Sequence, residues 1–145
     1  MKTILITGAS GGIGKETAVL FAERGWRVAA RMRGQENLSM FAGHKNIKAY
    51  LLEVQDKSSV ASCIGRAIRD FGKIDVLVNN AGIYTTNPLE MTADEVIDDI
   101  IETNIKGVLH TTKTILAHFR ENRSGLIVNV SSLAGRAAFP FQSVY

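Results

Sequence analysis

Thr7-Gly8-Ala9-Ser10-Gly11-Gly12-Ile13-Gly14 follows the apolar run Ile4-Leu5-Ile6 and leads into an amphipathic stretch. A strand, a glycine-rich turn and a helix N-terminus therefore succeed one another. The chemistry such a turn can do is anion binding. The first amides of a helix have no intrahelical partner and lie at the positive end of its dipole, and glycines let a phosphate approach the backbone closely. Spacing narrows the choice of anion. A Walker loop needs a glycine, four residues and then Gly-Lys-Ser/Thr, whereas Gly14-Lys15 has Ala9 where the first glycine should be and Glu16 after it. The Gly-x-Gly-x-x-Gly dinucleotide spacing fails as well. Thr7, Gly8, Gly12 and Gly14 fit Thr-Gly-x-x-x-Gly-x-Gly instead, and Gly11 also permits Thr-Gly-x-x-Gly-x-x-Gly.

Other reactive side chains are few. Asn104 shares helical spacing with Ile97, Ile101 and Val108, so its amide points toward an apolar face and must find partners there. It is either a satisfied core asparagine or a functional one. The lone cysteine, Cys63, cannot form an internal disulfide and falls among Val60, Ile64, Ala67 and Ile68 at helical spacing, as a packed core thiol does. His110 and His118 stand eight residues apart, roughly 12 Å along a helix, and His44 sits alone, so no metal site is expected.

Composition bounds the function classes. A chain of 145 residues, 46% hydrophobic and 21% charged, fits one soluble domain with a substantial core. Seventeen basic against fourteen acidic side chains give a charge of +3, scattered along the chain, which suits an anionic cofactor but not a nucleic-acid footprint. Apolar runs are too short for a membrane span of roughly 18 residues or more, and Met1-Lys2 leads directly into the first strand without a signal peptide. A cytoplasmic enzyme or binding protein is the expectation.

Positioning these residues requires an alternating chain. The pattern predicts a helix over Gly12–Arg24 with Ile13, Ala18, Phe21 and Ala22 on its apolar face, ended by Gly25. Val28–Ala30 reads as the second strand, Arg31–Gly34 as a basic turn, Gln35–Phe41 as a weak helix and Ile47–Val54 as the third strand. Asp56 caps a helix that stops at Gly72, and Ile74–Val78 is the fourth strand. Thr92-Ala93-Asp94-Glu95 reads as a capping box opening one long helix to about Asn122, followed by a fifth strand over Leu126–Val130 and a loop to Tyr145. Apolar strands separated by helices imply an α/β fold: a Rossmann-like, doubly wound parallel sheet of order 3-2-1-4-5 with helices on both faces, and a crevice at the C-terminal strand ends.

Several motifs together resemble the short-chain dehydrogenase/reductase family over essentially all 145 residues. The glycine loop is similar to that family's dinucleotide loop, Asn79-Asn80-Ala81-Gly82 to its strand-four motif, Asn104 to its helix asparagine, and Asn129-Val130-Ser131-Ser132 to the strand bearing its serine. Tyr145, thirteen residues after Ser132, matches the family's tyrosine. The resemblance implies an oxidoreductase that moves hydride between a nicotinamide and a small-molecule alcohol or carbonyl, with Asn104, Ser132 and Tyr145 as catalytic residues. Carbonyl reduction needs a proton donor beside the oxygen; a tyrosine can serve, although its reference pKa of about 10 calls for a nearby cation in the reverse direction.

The resemblance assigns the cofactor site to Gly8, Ser10, Gly11, Gly12, Ile13, Gly14, Arg33, Glu53, Val54, Asn79, Ala81 and Gly82. Glu53-Val54 stands where the family more often has Asp-Val beside the adenine. Arg33 matches a position where NADP-dependent relatives carry arginine, and no carboxylate occurs there before Glu36, so NADP(H) is favoured over NAD(H). Arg31 either assists or is a solvated strand-end charge. The family's lysine would follow Tyr145 by four residues, and the chain ends at Tyr145, so the expectation is a single dinucleotide-binding domain whose C-terminal part is missing. Its alternative role is binding without turnover, and the full-length protein is expected to be a homodimer or homotetramer.

Overall fold

The computed structural model describes residues 1–145. Five parallel strands, β1 (Thr3–Ile6), β2 (Arg27–Met32), β3 (Ile47–Leu51), β4 (Val76–Asn79) and β5 (Leu126–Asn129), lie in the order β3-β2-β1-β4-β5. The doubly wound order expected from the sequence is therefore present. All four residues of β1 are buried, because it pairs on both sides and is covered on both faces. Each face has its own core. One packs Ile4, Ile6, Val28, Ala30 and Met32 against Ala18 and Ala22 of α1 (Gly12–Glu23) and Phe41 of the 3-10 turn Gln35–Phe41. The other packs Leu5, Ala29 and Leu77 against Val60, Cys63, Ile64 and Ala67 of α2 (Lys57–Phe71) and Ile115 and Phe119 of α4 (Gly107–Glu121). Side-chain alternation along each strand divides the residues between these two faces.

Local signals set most helix ends. Asp56 caps α2 by accepting the Ser58 N–H at 2.8 Å, and Gly72, at φ +75°, ends it. Gly25, at φ +79°, turns the chain after α1. Several boundaries differ from the sequence reading. β2 continues through Arg31 and Met32, which are strand residues rather than a turn, and β3 stops at Leu51. Ile13 is 66% exposed, since the start of α1 overhangs the sheet, so it is no part of the core.

The segment from Asp94 onward departs furthest from expectation. Thr92 forms no capping box; its hydroxyl donates to the Pro88 carbonyl at 2.9 Å, and Ala93 is the cap. The long helix is broken into α3 (Asp94–Ile101), a π-helical turn over Glu102–Lys106, and α4. Such wide turns are single insertions in an α-helix and recur at functional sites. β5 is paired with β4 but Leu126 and Val128 remain 56% and 40% exposed.

Candidate functional site

The crevice is built by two loops at the C-terminal ends of β1 and β4. Thr7 is 1% exposed and holds the two loops together. Its Oγ1 accepts the N–H groups of Asn80 and Ala81, both at 2.9 Å, and donates to the Val78 carbonyl at 3.4 Å. One donor and two acceptor positions are thereby used, the full capacity of a hydroxyl. Asn80 returns the contact, its Nδ2 donating to the carbonyls of Thr7 at 3.0 Å and Gly8 at 3.1 Å. Glycine is required where these loops touch. A Cβ on Gly8, at φ +66°, would meet the Ala81 Cα at 2.8 Å, and one on Gly14 would lie 2.3 Å from the Gly8 oxygen. Gly11 has extended backbone with open space around it. No side chain caps α1, so its first amides face the crevice open to an anion.

Two adjoining clefts share Asn80, Ala81, Gly82 and Ile83 as a common wall. The first, about 330 Å³, is lined by Gly8, Ser10, Gly11, Met32, Arg33, Glu53, Val54 and Thr103 among others. Most of the residues expected to hold the cofactor meet here. Arg33 is exposed at the end of β2. Glu53 is half-buried, its Oε1 accepting the Gln55 N–H at 3.3 Å. Four candidates fall outside that lining. Ile13 lines the second cleft, and Gly12, Gly14 and Asn79 line neither. The Asn79 side chain is spent on the sheet and α4, accepting from Thr111 Oγ1 at 2.7 Å and donating to Asn129 Oδ1 at 2.9 Å, because the strand's alternation turns it away from the crevice. Asn80, the next residue, lines both clefts.

The second cleft, about 440 Å³, brings together Asn104, Ser132 and Tyr145, with Ile13, Tyr84, Val108 and Val130 around them. Asn104 and Tyr145 thus share one opening although 41 positions separate them in the chain. The Asn104 amide finds its partners in the loop after β4. Its Oδ1 accepts the Ile83 N–H at 2.9 Å and its Nδ2 donates to the Ile83 carbonyl at 2.8 Å, a two-point clamp on the loop after β4. Ser132 Oγ accepts the Ala134 N–H at 3.1 Å, fixing the oxygen and leaving the hydroxyl proton to donate. The Tyr145 ring lies against Tyr84, centroids 5.8 Å apart.

Arg31 corrects the reading of it as a solvated charge. It is fully buried, its guanidinium on the opposite side of the sheet from α1, and the residue borders the first cleft. Nη1 and Nη2 donate to Cys63 Sγ at 2.6 Å and to the Cys63 carbonyl at 2.7 Å, while the guanidinium lies 3.9 Å from the Tyr50 ring centre. Burial pulls its pKa down to about 10, against the opposing pull of Cys63 and Tyr50. Burial likewise pushes the Cys63 thiol up, as Arg31 works the other way. Cys63 is a core thiol, as its spacing suggested. Among the three histidines no metal cluster forms; His118 is buried and its Nε2 accepts the Ile74 N–H at 3.1 Å.

Sequence reasoning also passed over Thr7, Asn80, Gln55 and Thr103 as site residues. Thr7 and Asn80 were visible as motif members, but their cross-loop bonds are non-local. Gln55 and Thr103 carried no signal.

Residues 2–145 match the family model for short chain dehydrogenase. An uncharacterized oxidoreductase of Staphylococcus saprophyticus is 38% identical over 99% of this chain and 60% of its own length. A 3-oxoacyl-(acyl-carrier-protein) reductase of Thermotoga maritima is also 38% identical, over 99% of this chain and 61% of its own. Among solved structures, ElxO with NADP bound superposes with a TM-score of 0.92 at 36% identity, covering 99% of this chain and 60% of that one. The 3-ketoacyl-(acyl-carrier-protein) reductase of Brucella melitensis, complexed with NADH, gives 0.95 at 32% identity, covering 99% and 62%. The chain therefore spans about 60% of the length of the curated relatives it matches.

Proposed function

The chain belongs to the short-chain dehydrogenase family, and on that premise we propose that the protein it represents is an NADP(H)-preferring oxidoreductase acting on a small-molecule carbonyl or alcohol. The observation that carries this reading is the convergence of Asn104, Ser132 and Tyr145 in a cleft sharing a wall with the glycine-loop cleft. The residues fit a dinucleotide: uncapped helix amides for a pyrophosphate, no Cβ between the loops, and two adjoining clefts that share a wall. When bound, the nicotinamide would supply or accept the hydride.

The chain's own residues do the rest. Ser132, its oxygen pinned by Ala134, donates its proton to the substrate oxygen and orients it. Tyr145 stands in the same cleft as the proton donor. Asn104 holds Ile83 at both backbone atoms, which fixes the floor on which ring and substrate meet. Gly8, Ser10, Gly11 and Gly12 receive phosphates, Gly14 lets the loops close, and Glu53 and Val54 flank the adenine. Arg33 is the cation for a 2′-phosphate, because Arg31 is sequestered by Cys63. No helix is long and apolar enough to cross a membrane. An exposed stripe of Ile101, Ile105 and Leu109 supports a homo-oligomer joined along α3 and α4.

Fluorescence titration with NADPH and NADH tests the assignment. The wild-type chain is expected to prefer NADPH, and Arg33→Ala to weaken NADPH about tenfold, or about 1.4 kcal/mol, with NADH little changed. An unchanged NADPH-to-NADH ratio removes Arg33 from the role, and failure to bind either nucleotide removes the reading.

A further inference from the structure

Adjacent residues of the π turn face different halves of the crevice: Thr103 lines the first cleft and Asn104 the second. The loop that follows β3 is fastened to this helix at three places on one side. Gln55 Nε2 donates to Thr103 Oγ1 at 2.9 Å and reaches Asp99 Oδ1 at 3.4 Å. Val54 packs against Gly107 so closely that a Cβ there would lie 2.8 Å from Val54 Cγ2. The Val54 carbonyl accepts from His110 Nδ1 at 3.1 Å, which assigns the ring proton to that nitrogen. Thr103, Gly107 and His110 recur at the spacing of one helical face.

We propose that Gln55 is a positioning residue that couples the adenine end of the crevice to Asn104. Glu53, Val54 and Gln55 are consecutive, so a ligand settling against Glu53 and Val54 displaces a loop whose next side chain holds Thr103. Thr103 precedes Asn104, and Asn104 grips Ile83 at both backbone atoms. Every link is a direct hydrogen bond or a peptide bond. The π turn is the element able to respond, since its widened backbone can shift register within the helix more readily than regular α-turns. The His110 and Gly107 contacts tie the C-terminal side of that turn to the same loop through Val54.

The coupling rests on the cleft assignment made under Proposed function, and the test separates the two. Adenosine 2′,5′-bisphosphate carries the adenine half only, and Asn104 lines the second cleft but not the first. In amide-resolved NMR of the 145-residue chain, saturation with it is expected to shift resonances of Ser10 and Gly11, and also the Asn104 side-chain NH2. In Gln55→Ala the Ser10 and Gly11 shifts persist, while that of Asn104 falls at least threefold. Gln55→Met, which keeps the length of the side chain but cannot donate to Thr103, gives the same result and covers the case in which Gln55→Ala does not fold. An undiminished Asn104 shift in either folded variant overturns the coupling, as does its absence in the wild type when Ser10 and Gly11 respond. No shift anywhere at saturating concentration overturns the cleft assignment, and the coupling with it.

Discussion

Gly14→Ala sets two physical effects against each other, and the structure decides between them. Gly14 lies inside α1, where alanine is the better helix former by about 1 kcal/mol. Propensity alone therefore makes the variant more stable. The new Cβ, however, would sit 2.3 Å from the Gly8 carbonyl oxygen and 2.5 Å from Asn80 Nδ2. The first is backbone and cannot rotate aside. Relief requires α1 to move off the loop, which costs about 1–3 kcal/mol for an overpacked contact. Displacing Asn80 also weakens its bonds to Thr7 and Gly8, each worth about 1 kcal/mol. The net expectation is destabilisation of about 2–3 kcal/mol, or a fall in Tm of about 5–10 °C for a chain of this size, with nucleotide binding lost in parallel. Gly11→Ala is the control. Its backbone is extended and nothing lies within 4 Å, so stability should stay within about 0.5 kcal/mol while the methyl group hinders phosphate approach. Urea unfolding followed by circular dichroism, with NADPH titration alongside, reads both. A Gly14→Ala chain as stable as wild type would refute the close-approach argument.

Two further outcomes follow from groups outside the crevice. Cys63 is fully buried between Arg31 Nη1 and the Leu51 carbonyl, and its thiol is pushed up by burial, so a thiol reagent should label it only as the chain unfolds; labelling of the native chain at the rate of a free cysteine would contradict the packing. Desolvation pushes the Asp75 carboxyl up, but the Thr3 N–H at 2.8 Å and Lys73 Nζ at 3.2 Å outweigh it and hold it below its ordinary 3.8. A depressed carboxylate contributes stability above the unfolded-state value and loses it as pH falls through the folded one, so denaturant midpoints should drop below about pH 4 and Asp75→Asn should flatten that decline. An identical pH profile in the variant would dismiss the bond to Thr3 as a contributor.

What was legible in the sequence was whatever local pattern determines. The four-residue β1, buried along its whole length, announced itself as an apolar run before a glycine turn, and the alternation of such runs with helices implied the observed strand order. Asp56 and Gly72 were read as helix ends because caps act through neighbours two to four residues away. The errors have a common physical origin. Arg31 looked like a turn residue because its charge argues for solvent, yet Cys63 and Tyr50, 32 and 19 residues away by their numbers, supply partners that make its burial tolerable. The π turn is equally invisible in composition: Glu102–Lys106 contains nothing that bars an α-helix, and the insertion is stabilised by Val54 and Ile83 from other loops.

The site divides along the same line. Which residues belong near the crevice could be read from motifs, because the glycine loop and the Asn79–Gly82 segment each terminate a strand at the same edge of the sheet. Which side chains line it could not, and Asn79 and Asn80 show why. Consecutive strand residues point to opposite faces, so neighbours in one motif have different surroundings: Asn80 lines both clefts and Asn79 lines neither. β4 runs to Asn79, one residue further than the alternation of apolar residues implies, and this sends Asn79 to Thr111 and Asn129 and brings Asn80 to Gly8. The bonds that Asn80 and Thr7 make are satisfied without any ligand, so the two loops are held in register before a nucleotide arrives. Binding to such a cradle need not pay for ordering it, and the affinity of the crevice should accordingly depend on Thr7 and Asn80 even though neither offers a free hydrogen-bonding group to the phosphates.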